Sequence, residues 1–61
     1  MQELLNLKEV ASELRISIHT VRAWVFQRRV PVVRLGRRVL IKRADLENLV
    51  TRNVVEAKEI L

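Results

Sequence analysis

Two helix-start signals, at Asn6 and Ser17, constrain what this chain can become more tightly than any other feature. Asn6 has Glu9 three positions later, the arrangement of a capping box, and Leu5 and Val10 flank it as a hydrophobic staple. Leu7, Val10, Ala11 and Leu14 then follow the stripe of a short amphipathic helix. Ser17 starts a second helix, with Ile16 and Val21 placed for another staple. Val21, Trp24 and Val25 share one side of that helix, with Ile18 at its margin, and this spacing marks Trp24 as core. Only Arg15 to Ser17 remain between the helices. Helix, tight turn and helix is the helix-turn-helix layout, although an ordinary helical hairpin meets the same two signals.

Pro31 ends the helical region, because it disfavours helix at Val30. Beyond it, Val32–Leu35 and Arg38–Ile41 flank Gly36-Arg37, and glycine first in a two-residue loop suits a type II′ hairpin. In that register Val32, Arg34, Val39 and Ile41 share one face, and Val33, Leu35, Arg38 and Leu40 the other. Both faces are mixed, so periodicity does not decide which is buried. A third helix is expected from about Ala44, with Asp45 and Glu47 in its first turn favouring the helix dipole. Leu46, Leu49, Val50, Val54, Ala57 and Leu61 continue its apolar stripe, so residues 51–61 read as a helical extension. The fold class is mainly α with a small β-hairpin, in one domain over residues 1–61 with a core at about 4–50.

Charge is segregated. Between Glu13 and Asp45 lie nine cations and no acid: Arg15, Arg22, Arg28, Arg29, Arg34, Arg37, Arg38, Lys42 and Arg43. Both flanks are mildly acidic, and the net charge is +5. A one-signed surface pays in self-repulsion, and its natural partner is a polyanion. Apolar residues make up 49% of the chain, enough to fold and too many for a disordered basic tail. Without cysteine and with His19 as the sole histidine, neither disulfides nor a zinc finger is available. No apolar run reaches the roughly 18 residues of a membrane span, and the N-terminus lacks a signal pattern, so the expected compartment is the cytoplasm. Nothing pairs a nucleophile with a base and there is no phosphate-binding glycine loop. Neither an enzyme nor a cofactor is expected.

Four segments, in order, resemble one family. Leu7-Lys8-Glu9-Val10-Ala11, Ser17-Ile18-His19-Thr20-Val21-Arg22-Ala23-Trp24, Pro31-Val32-Val33-Arg34-Leu35-Gly36-Arg37-Arg38 and Asp45-Leu46-Glu47 look like the excisionase-type winged helix-turn-helix domains. These are relatives of the DNA-binding domain of MerR-type regulators. The resemblance covers about residues 4–50. It implies a second helix read into the major groove, a wing reaching the backbone or minor groove, and a supporting third helix. It also implies DNA binding in DNA recombination of a phage or other mobile element, or in transcription regulation nearby. The family usually has glycine where this chain has Arg15, and often where it has Arg28. A left-handed conformation at either would cost an arginine roughly 1–2 kcal/mol, so both turns are expected to differ locally. Family members often carry a basic residue at the positions of Ala23 and Leu40, so base contacts do not transfer.

The chemistry of the residues gives a candidate interface. Arginines neutralise phosphates and release counterions, which makes binding fall steeply with salt. The helix N-terminus at Ser17 offers amides and a hydroxyl to a phosphate, and Thr20 either supports the turn or touches DNA. On a wheel of about 100° per residue, His19, Arg22, Ala23 and Phe26 lie opposite Val21 and Trp24, with Arg29 at one edge. Arg22 can grip guanine or a phosphate, and Ala23 can sit against a thymine methyl. His19 can meet a base or phosphate, or stand solvated. Phe26 has two readings: a thymine methyl or sugar edge, or packing under the wing or another element, which is the expectation. Arg37, at the loop tip, suits a narrow minor groove. Arg38 stands beside it, while Arg34 reaches DNA or packs back on the body. Lys42 and Arg43 are expected at phosphates. One tryptophan and one phenylalanine argue for duplex over single strands.

The leading expectation is a sequence-specific double-stranded DNA-binding protein of the excisionase type, directing a recombinase or integrase partner. A small transcription regulator of the same fold is one alternative. Another is a protein-interaction module acting through the C-terminal helix, with Val50, Val54, Val55, Ile60 and Leu61 meeting a recombinase or another copy. RNA binding is a further one.

Overall fold

The computed structural model describes residues 3–55, and both helix-start signals act as caps in it. The order is β1 (Leu4–Asn6), α1 (Leu7–Leu14), α2 (Ile18–Phe26), β2 (Val33–Leu35), β3 (Arg38–Lys42) and α3 (Arg43–Arg52). The Asn6 side chain accepts from the Glu9 amide at 2.7 Å, and the Glu9 carboxylate accepts from the Asn6 amide at 2.8 Å. Two of the orphan donors of α1 are thereby satisfied, as a capping box requires. Ser17 Oγ accepts the His19 amide at 3.0 Å and starts α2.

The turns at Arg15 and Arg28 do not differ locally, contrary to expectation. Both arginines adopt positive φ, 57° and 60°. After α1, the Arg15 amide donates to the Ser12 carbonyl at 3.3 Å and the Ile16 amide to Ala11 at 3.0 Å. After α2, the Arg28 amide donates to Val25 at 3.1 Å and the Arg29 amide to Trp24 at 2.9 Å. Each set is the paired bonding of a Schellman motif, with arginine in the position glycine normally takes. Satisfying the last carbonyls of both helices outweighs the left-handed strain, and a cation at a helix C-terminus suits its dipole.

The sheet has three strands rather than the two of the expected wing. Its order is β1-β3-β2, antiparallel throughout, with Leu5 opposite Ile41 and Val33, Arg34 and Leu35 opposite Leu40, Val39 and Arg38. The hairpin register is the expected one. Positive φ occurs at Gly36, at 61°, and not at Arg37, the sign pattern of a type II′ turn. β1 also decides the question periodicity left open: Leu5 and Ile41 share a face and are both buried, so the Ile41 face is inward.

Leu5, Val10, Ala11, Val21, Val30, Ile41 and Leu46 form the core cluster, with Leu7, Leu14, Ile16, Ile18, Val25 and Val32 packed around it. Four elements therefore meet: the α1 stripe, Val21 of α2, the sheet and Leu46 of α3. Trp24 departs from its expected place. It is half-buried outside the cluster, in a groove with Leu14, Leu49, Val50 and Val54.

The third helix starts one residue early and stops at Arg52, so Asn53, Val54 and Val55 do not continue the helix as expected. Leu46 and Leu49 are buried, whereas Val50 is 46% exposed, and Val54 and Val55 lie beyond the helix and are exposed. The Asn53 side chain donates to the Leu49 carbonyl at 2.7 Å, occupying a carbonyl at the end of the helix. Because α3 begins at Arg43, Glu47 falls in its second turn and Asp45 alone occupies the first. Ala57 and Leu61 of the expected stripe, and Ile60 of the expected interaction surface, lie outside the described residues.

Candidate nucleic-acid interface

The second helix presents His19, Thr20, Arg22 and Phe26 to solvent, while Val21 on its other side is fully buried. The cap at Ser17 fixes which residues point outward, since it sets the first residue of a nine-residue helix. Ala23, expected on the outer face, is half-buried at its edge. Ser17 keeps its hydroxyl proton as a donor, because its oxygen acts as the acceptor for His19.

Phe26 does not pack under the wing or any other element. It is 89% exposed. Pro31 and the left-handed Arg28 turn the chain away after α2, and among the described residues no later segment covers Phe26 at the end of this helix. Phe26 lines a groove with Arg22, Arg28, Arg29, Arg34 and Arg52, where Asp45 is the one acid. Five guanidiniums against one carboxylate leave that groove positive and suited to a polyanion.

Arg34, Arg37 and Arg38 are exposed on the hairpin. Arg34 shares the groove with Arg22, so it does not fold back into the core. Arg37 occupies the turn beside Gly36. The added hydrogen-bond ladder of β1 ties this hairpin to the body of the domain, which fixes the height of its tip.

Arg43 leaves the candidate set. Its Nη1 and Nη2 donate to the two oxygens of Glu13 at 2.7 and 3.0 Å, and its Nε donates to Glu3 at 3.0 Å. Its amide also donates to the Glu3 carbonyl at 2.9 Å. The bonds to Glu13, then those to Glu3, hold the guanidinium further above its ordinary range, with desolvation opposing them. A cation engaged by two carboxylates is less available to a phosphate than the free arginines of the groove. Lys42 is exposed and only loosely paired, its Nζ 3.9 Å from Asp45.

The groove also contains Asn48, Thr51 and Arg52, which the sequence reading passed over. The signal was present: Asp45, Asn48 and Arg52 recur at helical spacing along one flank of the Leu46 and Leu49 stripe. Arg28 was likewise left out of the candidate set, although it stands between two arginine-lined grooves. Among the described residues no helix is long and apolar enough to cross a membrane.

Neither the curated proteins nor the solved structures supply a match to this chain. Residues 4–54, from β1 to just past α3, match the family of helix-turn-helix domains, and this chain belongs to that family, whose fold points to DNA as the partner.

Proposed function

We propose that this protein binds double-stranded DNA sequence-specifically and acts as an excisionase-like architectural factor. It would seat α2 in the major groove and the Gly36-Arg37 turn against the minor groove or backbone. So placed, it would shape an attachment site for a recombinase, in the cytoplasm and without catalysis of its own. The observation that carries the DNA part is the arginine-lined groove beside the outer face of α2. Family membership supports the same reading, and the family includes excisionase-like DNA-binding domains. The MerR-like kinship and the recombination role rest on the resemblance of the four segments alone.

Arg22, Arg29, Arg34, Arg37 and Arg38 would supply phosphate contacts and Arg22 a guanine contact, with Ser17 holding a phosphate at the start of α2. Mobility shifts at several salt concentrations test this. Wild type should bind duplex with affinity falling steeply as salt rises. Arg37→Ala should lower the slope of log affinity against log salt by about one, and Arg22→Ala should weaken binding roughly five- to hundredfold if it reads a base. Salt-insensitive binding, or full affinity after loss of both arginines, would falsify the DNA reading. Recombination is read separately, by whether a recombinase excises its element only when this protein is present. Promoter control without any effect on excision would favour the regulator instead.

A further inference from the structure

We infer that Phe26 is a specificity residue, reading the 5-methyl group of thymine in the major groove. The inference rests on the duplex-DNA reading above and deepens it. At 89% exposed, Phe26 is the most exposed of the large apolar side chains among the described residues. Folding gains nothing from a phenyl ring there. A polar residue would serve the free protein better, so the ring's use lies in something that covers it.

Its position says what. Phe26 is the last residue of α2, four positions from Arg22 and seven from His19, so the three form one outward stripe. Seven residues rise about 10 Å along a helix. That is about three base steps of about 3.4 Å. The stripe therefore addresses neighbouring base pairs, with Phe26 at its far end. In the major groove every base edge offers hydrogen-bond donors or acceptors, and the thymine C5-methyl is the apolar exception. A phenyl ring covering a cytosine amino group or a purine N7 would desolvate it without replacing the lost bond. Against a methyl, both surfaces leave water. The ring thus favours thymine at its position by attraction and disfavours the other bases by their unpaired groups.

A protein partner fits this place less well. Its groove carries Arg22, Arg28, Arg29, Arg34 and Arg52, and the apolar side chains Leu7, Val25, Val30 and Val32 that also line it are buried or half-buried, which leaves Phe26 as the exposed large apolar side chain there. The exposed valines, Val50 and Val54, line the separate groove with Trp24, where Phe26 takes no part. One apolar ring set among cations matches a polyanion that carries methyl groups, which duplex DNA does.

The test uses the full chain and a duplex chosen by selection from a random pool. Each thymine is replaced in turn by deoxyuridine, which removes only the methyl. Wild type should lose affinity about fourfold at one or two adjacent positions, the change that about 0.8 kcal/mol for one buried methyl implies. Phe26→Ala should bind more weakly and no longer distinguish thymine from deoxyuridine there, and Phe26→Leu should keep part of the distinction. Thermal melting should show both variants folded, since the side chain makes no core contact. Equal weakening of Phe26→Ala on thymine and deoxyuridine duplexes, with wild type blind to the methyl, would assign the ring to the sugar edge and overturn the inference. Lost cooperativity with unchanged single-site affinity would assign it to a protein contact, and overturn it too. Absence of duplex binding by wild type would instead sink the DNA reading on which the inference stands.

Discussion

Arg43 grips Glu13 across thirty positions of sequence with two parallel hydrogen bonds, and holds Glu3 through Nε. The three residues belong to the start of α3, the end of α1 and the approach to β1. One planar guanidinium thus fastens three segments that the small apolar core touches from the other side.

Replacing Arg43 should therefore separate stability from DNA affinity. Arg43→Ala is expected to lower the melting temperature while leaving the salt slope of DNA binding unchanged, because the lost charge was already neutralised. Arg22→Ala should do the reverse. Arg43→Lys should recover only part of the loss, since an ammonium cannot make the paired bonds to Glu13. The direction of the Arg43 shift also fixes a pH expectation. A folded-state value raised above the unfolded one gives stability that is fully present below the ordinary arginine range and lost only in stronger alkali. Melting temperature should accordingly show no loss from Arg43 deprotonation on going from pH 6 to pH 9. A drop there that Arg43→Ala abolishes would count against this account.

The left-handed arginines offer a second measurement. Arg15→Gly or Arg28→Gly relieves roughly 1–2 kcal/mol of backbone strain and costs roughly 0.5–1 kcal/mol in chain entropy. Each should stabilise the domain by up to about 1.5 kcal/mol, a rise of several degrees in Tm, and weaken DNA binding if its guanidinium meets a phosphate. Arg15→Val should do the opposite to stability, since a β-branched residue tolerates positive φ least. Equal melting temperatures for the glycine and valine variants would show that these turns relax without strain.

Ile41 supplies the third. Its side chain is 1% exposed, at the centre of the sheet and opposite Leu5. Ile41→Ala should cost about 2–5 kcal/mol. A chain of 61 residues has a total stability on the order of 3–9 kcal/mol. The variant should be largely unfolded near 37 °C by circular dichroism, and one that melts within a few degrees of wild type would show that the core lies elsewhere.

Local chemistry explains what the sequence made legible. Asn6, Glu9 and Ser17 act on amides within three residues of themselves, so their spacing alone located both helices. Gly36 and the valines did the same for the hairpin. What escaped was nonlocal. Three residues that end on the cap itself carry no periodicity, so β1 became visible only through its partner Ile41, thirty-six positions from Leu5. The Arg43 clamp reaches thirty and forty positions away, and nothing at Glu3 or Glu13 marks them as its acceptors. Trp24 and Phe26 were misplaced for a related reason. Helical spacing shows which residues share a side, but the space left on that side depends on how closely α1 and the sheet approach. At Arg15 and Arg28 the expectation weighed the left-handed backbone and overlooked the carbonyls awaiting partners.

The strand order has a consequence for how such a protein diversifies. With β3 bonded to β1 on one edge and β2 on the other, the hairpin is clamped at its base, where Leu5 faces Ile41. Residue pairs inserted between that base and Gly36 would raise the tip without disturbing a single core side chain. Reach toward the neighbouring groove is in this sense a modular trait, adjustable in steps while the globule beneath it stays the same.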